Sequence, residues 1–152
     1  MFPIDFCHIP VSIIKRSAGR SAVAAAAYRS GTKLTNEWDG MTHDYTRKGS
    51  IVHAEIMLPA YAPPEFADRS ILWNSVEQIE KARDSQLARE IEAALPRELS
   101  IEQQLALVRS YVKDNFVDKG MCADFAIHDK GTGNPHVHIM LTLRPLKENG
   151  QW

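Results

Sequence analysis

Two alternating runs joined by a short polar loop do most to fix what this chain can become. From Pro135 to Arg144, Val137, Ile139, Leu141 and Leu143 occupy the odd positions, and His136, His138, Met140, Thr142 and Arg144 the even ones. A period of two is that of a strand with one buried face. Cys122 to His128 alternates in the same way through Ala123, Phe125 and Ile127, and Asp129 to Pro135 between the runs is rich in Gly, Asn and Pro. This is the pattern of an antiparallel hairpin. A loop symmetric about Thr132 sets His128 directly opposite His136, and residues opposed across an antiparallel pair share a face. His138, two residues on, points the same way. A single histidine on a polar strand face is ordinarily a solvated side chain. Three on one face of one hairpin are a ligand set, so we expect His128, His136 and His138 to bind one divalent ion. Imidazole suits Zn, Mn, Fe, Co or Ni about equally, so spacing does not choose the metal.

The rest of the chain supplies a frame for that hairpin. Its 152 residues suit one domain, 1–152, and 44% hydrophobic with 24% charged residues is ordinary globular material. No apolar run approaches the ~20 residues of a membrane span, and the first residues lack the charged start and apolar core expected of a signal peptide. Cys7 and Cys122 form no C-x-x-C, so a reduced, cytoplasmic protein is expected. The net charge of −1 does not advertise nucleic-acid binding, but residues 11 to 50 carry seven basic against three acidic side chains, a local +4. Arg16, Arg20, Arg29 and Lys33 in that segment are candidates to track a phosphate backbone, weighed against the commoner role of a charge run as a solvated face.

In chain order, Phe6 to Ile14 alternates as a first strand, with Cys7, Ile9, Val11 and Ile13 inward and His8 beside the histidine face. Ser21 caps a short helix, 22–30, made largely of alanine and closed by Gly31. Its one large side chain, Tyr28, is thereby held near whatever the helix packs on, either as a core plug or as a functional group. Residues 35–48 read as a loop or small hairpin carrying Tyr45, and 50–58 as a second strand with Val52, Ala54, Ile56 and Leu58 inward. Asp68 or Ser70 caps a helix running to about Leu87, with Leu72, Val76 and Ile79 on one side. Arg89 to Leu95 reads either as a strand, with Glu90 and Glu92 on one face, or as a helix extension, in which they diverge. Alternation and Pro96 favour the strand. Ser100 and Gln103 have the form of a capping box that opens a last helix through about Phe116. The order predicts an α+β domain: a mostly antiparallel five-stranded sheet with helices on one face, covering its odd-numbered side except at the second strand, and the active site on the other. No phosphate-cradling G-x-x-x-x-G-K-[ST] is present, so ATP chemistry is not indicated.

Three stretches together then resemble one family. Gly19 to Gly31 with its alanine run before Tyr28, Leu72-Trp73-Asn74 with Glu77 and Glu80-Lys81, and Arg89 to Pro96, followed by the histidine hairpin, resemble the MobA/MobL (MobQ-class) plasmid relaxases. These belong to the HUH endonucleases, whose His, hydrophobic, His motif is matched by His136-Val137-His138. The resemblance implies a nickase that cuts one strand of transfer-origin DNA, leaving a tyrosine joined to the 5′ phosphate and a free 3′ hydroxyl. It assigns the nucleophile to Tyr28, the metal ligands to His128, His136 and His138, and active-site acids to Glu90 and Glu92. Its expected partners are single-stranded origin-of-transfer DNA, accessory relaxosome proteins and a type IV secretion coupling protein. A cytoplasmic monomer, carried with the DNA into a recipient cell, is the implied setting. Relaxases of this kind usually continue beyond the catalytic hairpin, so a chain that stops at Trp152 is expected to be a fragment of a longer protein. The rival classes are an HUH replication initiator, a metal-dependent phosphodiester hydrolase that uses water, and a non-catalytic DNA-binding module.

Overall fold

Alternation in five segments produces one sheet. The structure, a computed structural model, describes residues 10–152. The strands are β1 (Val11–Lys15), β4 (Ile51–Met57), β5 (Gln86–Ala94), β6 (Ala123–His128) and β7 (His136–Leu141), in the order β1-β5-β7-β6-β4. Every neighbouring pair is antiparallel. Two short strands, β2 (Lys33–Thr35) and β3 (Thr42–Asp44), form the small hairpin expected between residues 35 and 48. Among the described residues the α-helices are α1 (Ala22–Ser30), α2 (Arg69–Ile79) and α3 (Ile101–Asn115). Among the described residues no helix is long and apolar enough to cross a membrane.

The α+β class and the five-stranded antiparallel sheet are as the sequence predicts, but the helices do not all lie on one face. α3 covers the odd-numbered side, with Val108 and Val112 packed among Ile91, Phe125, Ile127, Val137 and Ile139. α1 and α2 cover part of the other side, where Val23, Ala26, Leu72 and Trp73 bury Ile14, Ala88 and Met140. Along β7 the even positions pass from His136 and His138 to Met140, which is where helical cover begins. The histidine end of that face is left for a site.

Other departures have local causes. The first-strand residues Cys7, Ile9 and His8 lie outside the described residues. Within β1 the faces fall as expected, Val11 opposite Ile91 and Ser12 opposite Glu90, but the burial is reversed: Ile14, opposite Ala88, is fully buried while Val11 is 56% exposed. Adjacent isoleucines at 13 and 14 offer an apolar choice to either face, and α1 and α2 settle it. In β4 a register shift between Ile51 and His53 turns Val52 outward, and the pairings of Met57 with Ala123 and Glu55 with Phe125 place its odd positions on the α3 side, so the second strand is not the expected exception; Ile56 and Leu58 pack against the α1/α2 core instead. α2 stops at Ile79 rather than near Leu87, and Ile79 is exposed. The polar run Glu80-Lys81-Ala82-Arg83-Asp84-Ser85 gives a further turn nothing to bury.

Caps fix the helices as read. Ser100 and Gln103 form the capping box of α3, and Asp68 accepts the Ile71 N–H at 3.1 Å. At α1, Ser21 Oγ accepts the Ala24 N–H at 3.0 Å, and Gly31 closes the helix at φ 68°. A side chain at Gly31 would also collide with Ile51 Cδ1. The first N–H of α1 is taken from another element: Glu77 of α2, buried to 1%, accepts Ala22 N–H at 2.8 Å and the Arg16 guanidinium at 2.8 Å. A carboxylate at a helix N-terminus also complements the helix dipole. We predict that Glu77→Ala, which leaves Arg16 buried without its counter-charge, lowers stability by about 3–5 kcal/mol. Glu77→Gln keeps an acceptor for Ala22 and costs less. Urea midpoints measure both, and equal midpoints for Glu77→Ala and the parent would contradict this account of how α1 is held.

Candidate functional site

The hairpin register delivers the histidines as the alternation requires. His128 pairs with His136 across β6 and β7, and His138 opposes Ala126 on one side and Glu92 on the other. The His128 and His138 rings are 4.4 Å apart between centroids. His136 Nδ1–H donates to the Asn134 carbonyl at 2.7 Å, which leaves Nε2 as the lone-pair nitrogen. His128 Nε2–H donates to the Arg29 carbonyl at 2.7 Å. Burial, reinforced by Arg29, His128, Lys48 and His136, pushes the His138 pKa down to about 3. Burial lowers His128 in the same direction.

These are the protonation states a metal needs, since only neutral imidazole ligates. Among the described residues, however, no three His, Cys, Asp or Glu side chains stand in a ready metal-binding arrangement. The hydrogen bond from His128 Nε2 to Arg29 accounts for one of the three. The donor set fits a divalent ion in the chemistry of its neutral imidazoles and in its placement on one face of the hairpin.

Arg89 to Ala94 is strand, so both carboxylates face the histidine side, but their surroundings separate them. Glu90 is buried, 9% exposed, and receives Arg20 Nη2 at 3.1 Å, Arg29 Nε at 3.2 Å and Ser12 Oγ at 3.4 Å. Glu92 is open to solvent, with Oε1 3.8 Å from His138 Nε2. With His138 neutral this is a polar contact rather than an ion pair.

Tyr28 reaches the same place from α1. Ala24 and Ala25, a turn before it, add no bulk, and the ring emerges 42% exposed. It stands edge-on to Tyr45 at 5.1 Å, with Lys48 Nζ 3.6 Å from its centroid. Tyr28, Glu92 and the three histidines line one cleft of about 390 Å³, together with the cations Arg29, Lys48 and Lys130. That volume lies in the range of small-molecule sites. Tyr45 stands behind Tyr28 and is not among the groups lining the cleft.

The basic residues divide. Arg29 borders the cleft, and Arg20 lines a neighbouring groove that shares Tyr28 and Arg29 with it. Lys33 is exposed on β2 opposite Asp44. Arg16 is committed elsewhere: its guanidinium bonds Glu77 and the Glu80 and Ala82 carbonyls and lies 3.9 Å from the Trp38 ring, so it is a structural residue. Sequence reasoning did not single out Lys48 or Asn134. Lys48 was one charge among seven, and Asn134 one polar residue of a turn; only the turn's position just before His136 hinted at its carbonyl.

A sheet with three imidazoles, a half-exposed tyrosine and three cations around one cleft is the architecture of a site for an anionic substrate. Comparison with known proteins specifies it. The model of the MobA/MobL family matches residues 20–152. The conjugal transfer protein TraA of Agrobacterium fabrum is 48% identical over 94% of this chain, and the mobilization protein MobL of Acidithiobacillus ferridurans is 39% identical over 94%. A solved structure reported as "Molecular Basis of Vancomycin Resistance Transfer in Staphylococcus aureus" superposes with a TM-score of 0.88 at 33% identity, covering 95% of this chain and 73% of its own. The chain belongs to the MobA/MobL family. It spans 14% of the length of that TraA and 44% of that MobL.

The depressed His138 pKa has a consequence for stability. The unfolded chain protonates a histidine near pH 6.5, so between about pH 6.5 and 3 it binds one more proton than the folded chain does. The stability contributed by neutral His138 is therefore complete above that window and lost as pH falls through it. In the presence of EDTA, thermal melts from pH 7.5 to 4.5 should fall more steeply for the parent than for His138→Gln. A His138 imidazole that titrates near 6.5 by NMR would contradict the burial argument.

Proposed function

We propose that this domain nicks one strand of plasmid transfer-origin DNA by tyrosine transesterification, as a relaxase acting in conjugative transfer or mobilisation. The observation that carries the reading is the meeting of Tyr28 and the three-histidine face in one cationic cleft. Single-stranded DNA is the substrate, drawn by Arg29 and Lys130 at the cleft and by Arg20 and Lys33 beside it. Tyr28 Oη attacks the scissile phosphorus, an O–P bond to tyrosine forms, and the bond from phosphorus to the 3′ oxygen breaks. The phenol proton passes to a carboxylate oxygen of Glu92, and a proton from Glu92 or water completes the 3′ hydroxyl. Glu92 takes this role because its oxygens are free, whereas those of Glu90 are occupied in holding Arg20 and Arg29. The 5′ phosphate stays on Tyr28, and reversal by the 3′ hydroxyl reseals the strand without ATP.

His128, His136 and His138 would hold one divalent ion, with Mn or Mg in use and Zn, Ni or Co accepted by the same imidazoles. When bound, such an ion supplies neutralisation of the phosphate charge that builds in the transition state. The accessory proteins of a relaxosome and a secretion coupling protein are the partners this function requires, and a bacterial cytoplasm is its setting.

End-labelled single-stranded origin oligonucleotides test the reading. We expect only the fragment 3′ of the cut to become attached to protein, through its 5′ phosphate, with peptide mapping placing it on Tyr28. Tyr28→Phe should keep fold and DNA binding while losing the adduct, and His136→Ala should lose metal-dependent cleavage at neutral pH. Attachment at Tyr45 would move the nucleophile to the neighbouring ring. Cleavage with no adduct would favour a hydrolase that uses water.

A further inference from the structure

Lys48 makes contacts that a solvated surface lysine does not. Its ammonium lies 3.6 Å from the centroid of the Tyr28 ring and donates to the Tyr28 main-chain carbonyl at 3.1 Å. The same residue lines the cleft with the three histidines. Tyr45 meets the Tyr28 ring edge-on, at an interplanar angle of 89°. On α1 the Tyr28 ring is flanked by alanine methyls and by Arg29, whose guanidinium carbon lies 5.1 Å from its centroid, farther than the Lys48 ammonium. The lysine, from the loop after β3, fixes both the main chain and the ring of one residue.

Its charge is also placed at a cost. Burial, then Arg29 and Lys130, lowers the Lys48 pKa, so the ammonium sits among like charges with no carboxylate bonded to it among the described residues. Such an arrangement is relieved when negative charge arrives or develops nearby. A cation over an aromatic face favours electron density in that ring, and attack by a phenol builds density there as its proton departs.

We infer that Lys48 is a positioning residue for Tyr28, one whose ammonium orients the ring toward the cleft and stabilises the negative charge the phenol acquires during attack. The inference rests on Tyr28 being the attacking group. It places the effect of Lys48 on the rate of attack rather than on the affinity for DNA.

Two measurements test it on the folded protein. In proton NMR of the parent and of Tyr28→Phe, the Lys48 Hε resonances should be shifted upfield by the ring current, and Tyr28→Leu should remove the shift. In single-turnover assays with a single-stranded origin oligonucleotide, Lys48→Met should slow adduct formation at saturating DNA about tenfold. The Kd for the oligonucleotide should change by less than about threefold, and Lys48→Arg, which keeps a cation, should recover most of the rate. Unshifted Hε resonances would show that the contact does not exist. An unchanged rate at saturation with weakened binding would make Lys48 a backbone-phosphate contact, and an Arg variant as slow as the Met variant would remove the charge argument. Either overturns the inference. An adduct on Tyr28 that forms as fast in Lys48→Met as in the parent sinks this inference alone, whereas no adduct with the parent sinks the nucleophile assignment and this inference together.

Discussion

The pairing register of β6 and β7 is the constraint on which the rest depends. Successive side chains of a strand alternate faces, so a slip of one residue in this hairpin would move the histidines of one strand under α3 and bring Val137 or Ile127 to the open side. The register is held from both sides of the sheet. Phe125, Ile127, Val137 and Ile139 are buried beneath α3, and Met140 beneath α1 and α2. Beside it Asp124, opposite Met140, receives Arg69 at 2.8 and 2.9 Å and the Trp73 indole at 2.9 Å. A buried carboxylate with three donors tolerates no other register. The histidines are thus aligned by groups that take no part in their chemistry.

α1 is the second half of the arrangement. A helix with five alanines in nine residues buries little apolar area per residue, and polar anchors at its start add to the hold of Val23 and the buried alanines. Glu77 supplies one, joining the first N–H of α1 to Arg16 and so to the segment that leaves β1. Small side chains let this helix sit close over the sheet, which brings the Arg29 carbonyl within hydrogen-bonding distance of His128 Nε2. The alanines are therefore not filler: larger residues would lift Tyr28 and Arg29 away from the histidines.

Much of this was legible in the residues. The alternation of 122–128 and 135–144 and the length of the loop between them were enough to set His128 opposite His136, and Ser21, Gly31 and the Ser100–Gln103 box marked helix ends where they fall. What periodicity could not reveal was which of two apolar faces each helix would cover. Ile13 and Ile14 permit either phase, and the alanines of α1 carry no strong stripe to point at a partner. Nor does charge along the chain announce its use. Arg16 and Arg29 look alike in sequence, yet one is locked under Trp38 and Glu77 while the other borders the cleft. The same holds for Glu90 and Glu92, equivalent by strand parity and separated only by where Arg20 and Arg29 come to rest.

In the proposed function the histidine face and Tyr28 form a single centre around one divalent ion. Substoichiometric Mn²⁺, added to protein labelled at histidine and tyrosine, reads it most directly, because the paramagnetic ion broadens resonances steeply with proximity. The account predicts that the His128, His136 and His138 imidazoles and the Tyr28 ring broaden first, together, while His53, on the α3 side of the sheet, remains sharp. Early broadening at His53 or His43, or three site imidazoles that stay sharp as Mn²⁺ approaches one equivalent, would contradict it.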